Sequence, residues 1–219
     1  MRRRAVIALF ALGLASGAGM AIGLVGVLAT SSDAGSTASS GVTRTPRAER
    51  FEGSLMPPGV RAPDFALHDQ DGGRVSMRAL RGRPAIVTFL YTTCEESCPA
   101  QAQQIKLGLD RLGEDLPALA VAVKPETDTP ANAQRFLREQ GMVGRMDIAL
   151  GSRTELEPVW KGFAIQPQLA GAEHQARTVL IDARGYQRVG FPIDQLTPER
   201  LAKDARTLLA EARGAPAPG

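Results

Sequence analysis

Cysteine and histidine are scarce in this 219-residue chain, with two of each. Two cysteines exclude a scaffold stapled by several disulfides, and with no third cysteine or second nearby histidine a four-ligand zinc site lacks a member. Surplus charge is nearly absent as well. The formal net charge is +3, but Arg2, Arg3 and Arg4 supply it, and the remaining Lys and Arg only match the 23 acidic residues. No basic patch of the kind that binds nucleic acid is left. The sequence also shows no internal repeat.

What is present centres on Tyr91-Thr92-Thr93-Cys94-Glu95-Glu96-Ser97-Cys98-Pro99, which contains both cysteines. Residues four apart in a helix lie on one face a turn from each other, so the two sulfurs can converge on one ion or, in a looser turn, on one another. Pro99 fits the first helical position, and Ile105, Leu109 and Leu112 follow as a core-facing stripe. Upstream, Ala85 to Leu90 is a nearly unbroken apolar run bounded by Gly82 and Pro84, the signature of a strand buried on both faces. A purely structural disulfide is a poor use of this pair. Closing so short a ring removes only about 2 kcal/mol of chain entropy, against about 4 to 5 for a long loop, and a chain of this length buries enough core without one. A working dithiol or a metal site is the better reading.

The N-terminus points to export. After the three arginines, Ala5 to Ala29 carries no charge, longer than a signal-peptide core and long enough to span a bilayer. Residues 1–30 are therefore expected to be a membrane anchor or signal segment. Length favours a retained anchor, Val27-Leu28-Ala29 is a candidate cleavage site, and the arginines place the rest of the chain on the extracytoplasmic side. Residues 31–56 read as a flexible linker, 57–213 as the folded domain, and 214–219, rich in Pro, Ala and Gly, as a disordered tail.

Within the domain, Ala62 to Leu67 and Arg74 to Ser76 flank an Asp-Gly-Gly turn as a small hairpin, and Met77 to Leu80 reads as one helical turn. Then come the buried strand, the cysteine loop, and a helix closed by Gly113. Ala118 to Val123 is a second buried strand, which makes the crossover parallel. Thr129-Pro130 opens a helix bearing Phe136 and Leu137. Ser152 and Glu155 form a capping box ahead of Leu156, Val159, Trp160 and Phe163, with Pro158 shortening or kinking that helix. Trp160 lies in the apolar stripe and reads as core. Thr178 to Ile181 and Tyr186 to Phe191 form an antiparallel pair across Asp182-Ala183-Arg184-Gly185, and Thr197-Pro198 caps a last helix bearing Leu201, Ala205, Leu208 and Leu209. This order matches an α/β, thioredoxin-like domain: a mixed sheet with flanking helices behind an N-terminal β-hairpin.

His68 sits beside the hairpin turn and reads as a solvated turn residue. His174 lies just before the strand Thr178 to Ile181, and it reaches the cysteine loop only if that strand runs antiparallel to the one preceding the loop. Taken together, Pro63-Asp64-Phe65, the Cys94-to-Pro99 element, Pro125-Glu126-Thr127-Asp128-Thr129-Pro130, and His174 ahead of Thr178 to Asp182 resemble the SCO/SenC family over about Pro57 to Leu209. The resemblance implies a membrane-tethered, thioredoxin-like copper protein that assists assembly of cytochrome c oxidase. Its metal ligands carry over to Cys94, Cys98 and His174. Two positions depart from the family's habit: Glu95 where Pro often follows the first cysteine, and Lys124 where an acid is common.

Thiolates favour Cu(I) and imidazole serves both copper oxidation states. The expected function is therefore a copper chaperone, binding one copper ion per monomer and delivering it to the oxidase subunit carrying the CuA site, with another copper carrier as a possible donor. The alternative is a thiol–disulfide oxidoreductase, with Cys94 and Cys98 as a redox-active dithiol that keeps the oxidase's copper-site cysteines reduced. Two features weigh against fast turnover: Glu95 and Glu96 are expected to raise the thiol pKa, and Ala176 stands where thioredoxin-like reductases carry Pro. A peroxidase is discounted, because the Pro-x-x-x-Thr-x-x-Cys signature of peroxiredoxins would need Pro and Thr at Val87 and Tyr91, or at Tyr91 and Glu95.

Overall fold

The computed structural model describes residues 50–166 and 176–214. The expected membrane segment, most of the linker, His174 and the end of the tail lie outside the described residues. In chain order the elements are β1 (Ser54–Leu55), β2 (Ala66–His68), β3 (Arg74–Ser76), β4 (Ala85–Leu90), α1 (Ser97–Leu112), β5 (Ala118–Ala122), α2 (Pro130–Gln140), β6 (Asp147–Ala149), α3 (Arg153–Gly162), β7 (Arg177–Ile181), β8 (Gln187–Pro192) and α4 (Pro198–Ala212). Six strands form one mixed sheet in the order β1-β8-β7-β4-β5-β6, and β2 and β3 pair separately as a hairpin. This is the thioredoxin-like α/β arrangement.

The centre of the sheet follows from composition. Every residue of β4 and β5 is buried, as continuous apolar strands covered on both faces must be. β4 pairs parallel with β5 and antiparallel with β7, with Thr88 opposite Thr178. Side chains alternate along a strand. Thr88 shares a hydrogen bond with Thr178, whose hydroxyl also accepts from Gln101 of α1, whereas Phe89 stacks tilted on Phe163 just beyond α3, at 5.1 Å. Helices α1 and α3 thus cover opposite faces of the sheet. On the α1 side, α4 packs against α1 at Gly108, where a Cβ would come within 2.8 Å of Leu201.

The helix starts obey their capping residues. Thr129, Ser152 and Thr197 each accept a backbone N–H of the first turn, Ser152 within a reciprocal capping box with Glu155. Gly113 and Gly141 end α1 and α2 in the left-handed conformation. Trp160 is buried and donates its indole N–H to the Ala122 carbonyl at 2.9 Å. Helix α3 carries Pro158 and runs for ten residues.

Several expectations shift. The last residues of the expected linker are built into the domain: Ser54–Leu55 pairs with Gly190 and Val189 of β8, and Asp204 of α4 accepts the N–H groups of Glu52 and Gly53 at 2.8 and 2.9 Å. The packed region therefore begins no later than Arg50, ahead of the boundary expected at 57. The first hairpin strand forms at Ala66–His68 rather than from Ala62, since Ala62 gives its N–H to Gly185 instead. Met77 to Leu80 makes turns and no helix. Helix α1 starts at Ser97, two residues ahead of Pro99, which is allowed because none of the first four N–H groups has a helical partner. The short edge strand β6 was not anticipated.

Candidate functional site

Strand β4 delivers the chain to the cysteine loop, and the sheet ladder continues to its very end, with Val123 donating to the Leu90 carbonyl at 3.0 Å. The loop then turns. The N–H of Cys94 donates to the Tyr91 carbonyl at 3.2 Å, which folds the Cys94 side chain back toward the start of α1. There the N–H of Cys98 donates to the Cys94 Sγ at 3.2 Å, and the Ser97 hydroxyl lies 3.4 Å from the same sulfur. Glu96, the residue before the helix, makes no side-chain capping bond. Both cysteines are free thiols; Cys98 is fully buried, and Cys94 keeps 9% of its surface.

This geometry separates the two sulfurs chemically. A hydrogen bond from the Cys98 thiol itself holds the Cys94 thiol far below its ordinary pKa, opposed by burial and helped by Ser97 and by the backbone N–H groups of Cys98 and Glu96. The Cys98 thiol is pushed up, first by the same hydrogen bond and then by burial. The pair therefore shares one proton, which this geometry favours on Cys98, with the negative charge favoured on Cys94. The expectation that Glu95 and Glu96 raise the thiol pKa does not hold for Cys94: both carboxylates are exposed, and hydrogen bonding decides the outcome.

A second loop, after β5, braces the first. The buried Asp128 carboxylate accepts the Thr92 N–H at 2.7 Å and the Thr92 hydroxyl at 2.8 Å through Oδ1, and the Lys124 N–H at 2.9 Å through Oδ2. The Thr93 and Thr127 hydroxyls meet at 3.3 Å. The Lys124 ammonium stands 5.5 Å from the centre of the Tyr91 ring, a cation–π contact at the edge of the cysteine loop. This brace was not seen in the sequence. Asp128, one residue before the α2 cap, carries no signal that it turns toward another loop instead of capping its own helix.

The structure brings Cys94 and Cys98 together. His174 lies outside the described residues; β7 runs antiparallel to β4, so its first residue, Arg177, enters the sheet at the end where β4 delivers the cysteine loop. Ala176, at the position where reductases carry Pro, is buried and accepts the Ile193 N–H at 3.1 Å. His68 is exposed at the end of β2, its Nδ1 3.3 Å from the Gly72 carbonyl, and belongs to the hairpin. Among the described residues no group of three or more His, Cys, Asp or Glu side chains converges as a metal site, and no helix is long and apolar enough to cross a membrane. The donor set that is described, a loop sulfur and a helix sulfur brought together at the start of α1, is soft and suits a thiophilic ion.

Residues 57–210 match the family profile described as SCO1/SenC. A SCO1 homologue from Bacillus subtilis is 31% identical over 75 residues, 33% of this chain and 39% of that protein. A Mycobacterium tuberculosis protein, provisionally named a peroxiredoxin, is 34% identical over 87 residues, 40% of this chain and 54% of that one. The chain thus spans less than two thirds of the length of these curated relatives. Among solved structures, Bradyrhizobium japonicum ScoI with copper bound is 28% identical with a TM-score of 0.59, covering 68% of this chain and 99% of that one. BsSco, described as a member of the Sco family of cytochrome c oxidase assembly proteins with a disulfide switch, is similar in fold at 24% identity and a TM-score of 0.60, covering 68% of this chain and 93% of that one.

Proposed function

This chain belongs to the SCO1/SenC family, and from that premise we propose that it is a copper carrier, holding one copper ion between Cys94, Cys98 and His174 and passing it to the CuA-bearing subunit of cytochrome c oxidase. The observation that carries this reading is the sulfur pair itself. The Cys94 sulfur is held against the start of α1 by the Cys98 N–H, an arrangement that lowers its pKa and favours the thiolate, and a structural neighbour at 28% identity holds copper. Copper is cargo here, so the chain must both take it up and give it away. A thiolate already formed at Cys94 lets a soft cation bind without waiting for deprotonation there; Cys98 releases its proton as the ion arrives. Three ligands leave a side open to a donor or acceptor protein. Residues 1–30 tether the domain outside the membrane, where the oxidase site and another copper carrier would meet it.

A second reading has a specific observation in its favour. A thiolate at Cys94 is also what a thiol–disulfide oxidoreductase needs. Cys94 attacks one sulfur of a partner's disulfide and expels the other as thiolate. Cys98 then loses its proton and attacks the Cys94 sulfur, releasing the partner as a dithiol and leaving the Cys94–Cys98 disulfide. The Mycobacterium tuberculosis relative bears a peroxiredoxin name, but this chain lacks the peroxiredoxin Pro and Thr ahead of either cysteine.

Copper loading tests the main reading. Purified protein exposed to copper and desalted is expected to retain one ion per chain, and Cys94→Ser or Cys98→Ser to retain almost none. A wild-type protein that retains no copper but reduces partner disulfides rapidly would transfer the assignment to the oxidoreductase.

A further inference from the structure

We propose that Asp128 is the positioning residue of the cysteine loop, fixing through one peptide plane the turn that sets the Cys94 sulfur against α1. The inference rests on the preceding reading only in taking the cysteine pair as the working site. A trans peptide is a rigid plane with its N–H and C=O on opposite sides. The peptide between Tyr91 and Thr92 gives its N–H to Asp128 at 2.7 Å and takes the Cys94 N–H on its carbonyl at 3.2 Å. Asp128 and Cys94 therefore grip the two ends of a single rigid unit. The Thr92 hydroxyl, at 2.8 Å, adds a second bond to the same carboxylate oxygen.

The other carboxylate oxygen anchors this arrangement to the sheet. Lys124 gives it a backbone N–H at 2.9 Å, and the residue before it, Val123, is bonded to Leu90 at the end of β4. A carboxylate buried among apolar neighbours is costly unless its oxygens are satisfied, and here three donors converge on it, making charge-assisted bonds. Helix α2 does not need Asp128 as a cap, because Thr129 accepts the Asn132 N–H. What the carboxylate holds is the approach to Cys94.

Asp128→Asn keeps the shape and loses one acceptor: its amide nitrogen must face either the Lys124 N–H or the donors of Thr92. A loop no longer held in its turn closes less readily on Cys98, whether a disulfide or a shared copper ion closes it. The primary test equilibrates the full-length protein in glutathione buffers, where two protein thiols become a disulfide as one glutathione disulfide becomes two glutathiones. The equilibrium constant for closing the Cys94–Cys98 bond is expected to fall about tenfold in Asp128→Asn, a rise in potential of about 30 mV. Thr92→Val, which removes only the hydroxyl, is expected to lower it about threefold, and Thr92→Ser to restore it. Glu126→Gln, which breaks the exposed ion pair with Arg153, is expected to change nothing.

If Asp128→Asn gives no cooperative thermal transition, the Thr92 pair decides alone. Folded variants whose constants stay within about twofold of wild type, or a wild-type pair that forms no disulfide, overturn the proposal. Copper affinity, measured separately by chelator competition, keeps the two claims apart. A protein that binds no copper but loses ring closure in Asp128→Asn keeps the positioning role and loses the carrier role; a protein that binds copper with an unchanged constant does the reverse.

Discussion

The backbone N–H of Cys98 points at the Cys94 Sγ across 3.2 Å, so a sulfur from two residues ahead of the N-cap Glu96 accepts a first-turn N–H, the task that N-cap hydroxyls perform at the other α-helix starts. Thr129, Ser152 and Thr197 cap α2, α3 and α4 with oxygen, whereas α1 has no such cap among the described residues. One contact thus serves fold and chemistry together. It satisfies an otherwise orphaned N–H of the helix and stabilises the negative charge that a metal or a disulfide will meet.

That dual role separates two substitutions at the same atom. Cys94→Ser supplies a capping oxygen, and Cys94→Ala supplies nothing, so Cys94→Ser is expected to be more stable than Cys94→Ala by about 0.5–2 kcal/mol in denaturant titration. Both are expected to lose copper equally. Equal stability of the two variants would show that the sulfur does not cap α1.

The depressed Cys94 pKa predicts an unusual pH profile. Alkylation of reduced protein by iodoacetamide is expected to fall on Cys94 first and to slow less than about threefold between pH 8 and pH 6, where an ordinary thiol of pKa about 8.5 slows about tenfold per unit. The stability of the reduced form follows by linkage. Below the ordinary thiol pKa the unfolded chain binds more protons than the folded pair, which keeps one, so stability rises with pH; above it the unfolded chain binds fewer, and stability falls. The site's contribution is therefore greatest near pH 8.5. It is lost toward acid as Cys94 is protonated and toward alkali as Cys98 ionises. A profile identical to that of the Cys94→Ala, Cys98→Ala double variant would contradict the shared-proton account.

The parts of this protein legible in its sequence are those with local signatures. β4 and β5 are nearly continuous apolar runs and wholly buried, and β7 is buried from Thr178 onward. Thr129, Ser152 and Thr197 announce their helices by hydroxyls placed one residue ahead of the first turn. The cysteine spacing located the centre of the site. β1 and β6 escaped notice because two or three residues cannot display a period, and their partners, β8 and β5, lie far along the chain. The brace from Asp128 to Thr92 escaped for a related reason. It joins two loops 36 positions apart in sequence, and nothing local separates a carboxylate that grips a distant peptide from one that caps its own helix. Glu95 and Glu96 misled in the other direction, since their charge is visible in the sequence while the hydrogen bonds that outweigh it exist only in the fold.

If His174 completes the copper site begun by the two sulfurs, the spectrum of the Cu(II)-loaded protein will report it. A sulfur-to-copper charge-transfer absorption is expected at one copper per chain, abolished in Cys94→Ser and displaced in His174→Ala together with a loss of affinity of about tenfold or more. A His174→Ala protein with the wild-type spectrum and unchanged affinity would contradict it, and would leave Cys94 and Cys98 as a dithiol acting without that histidine.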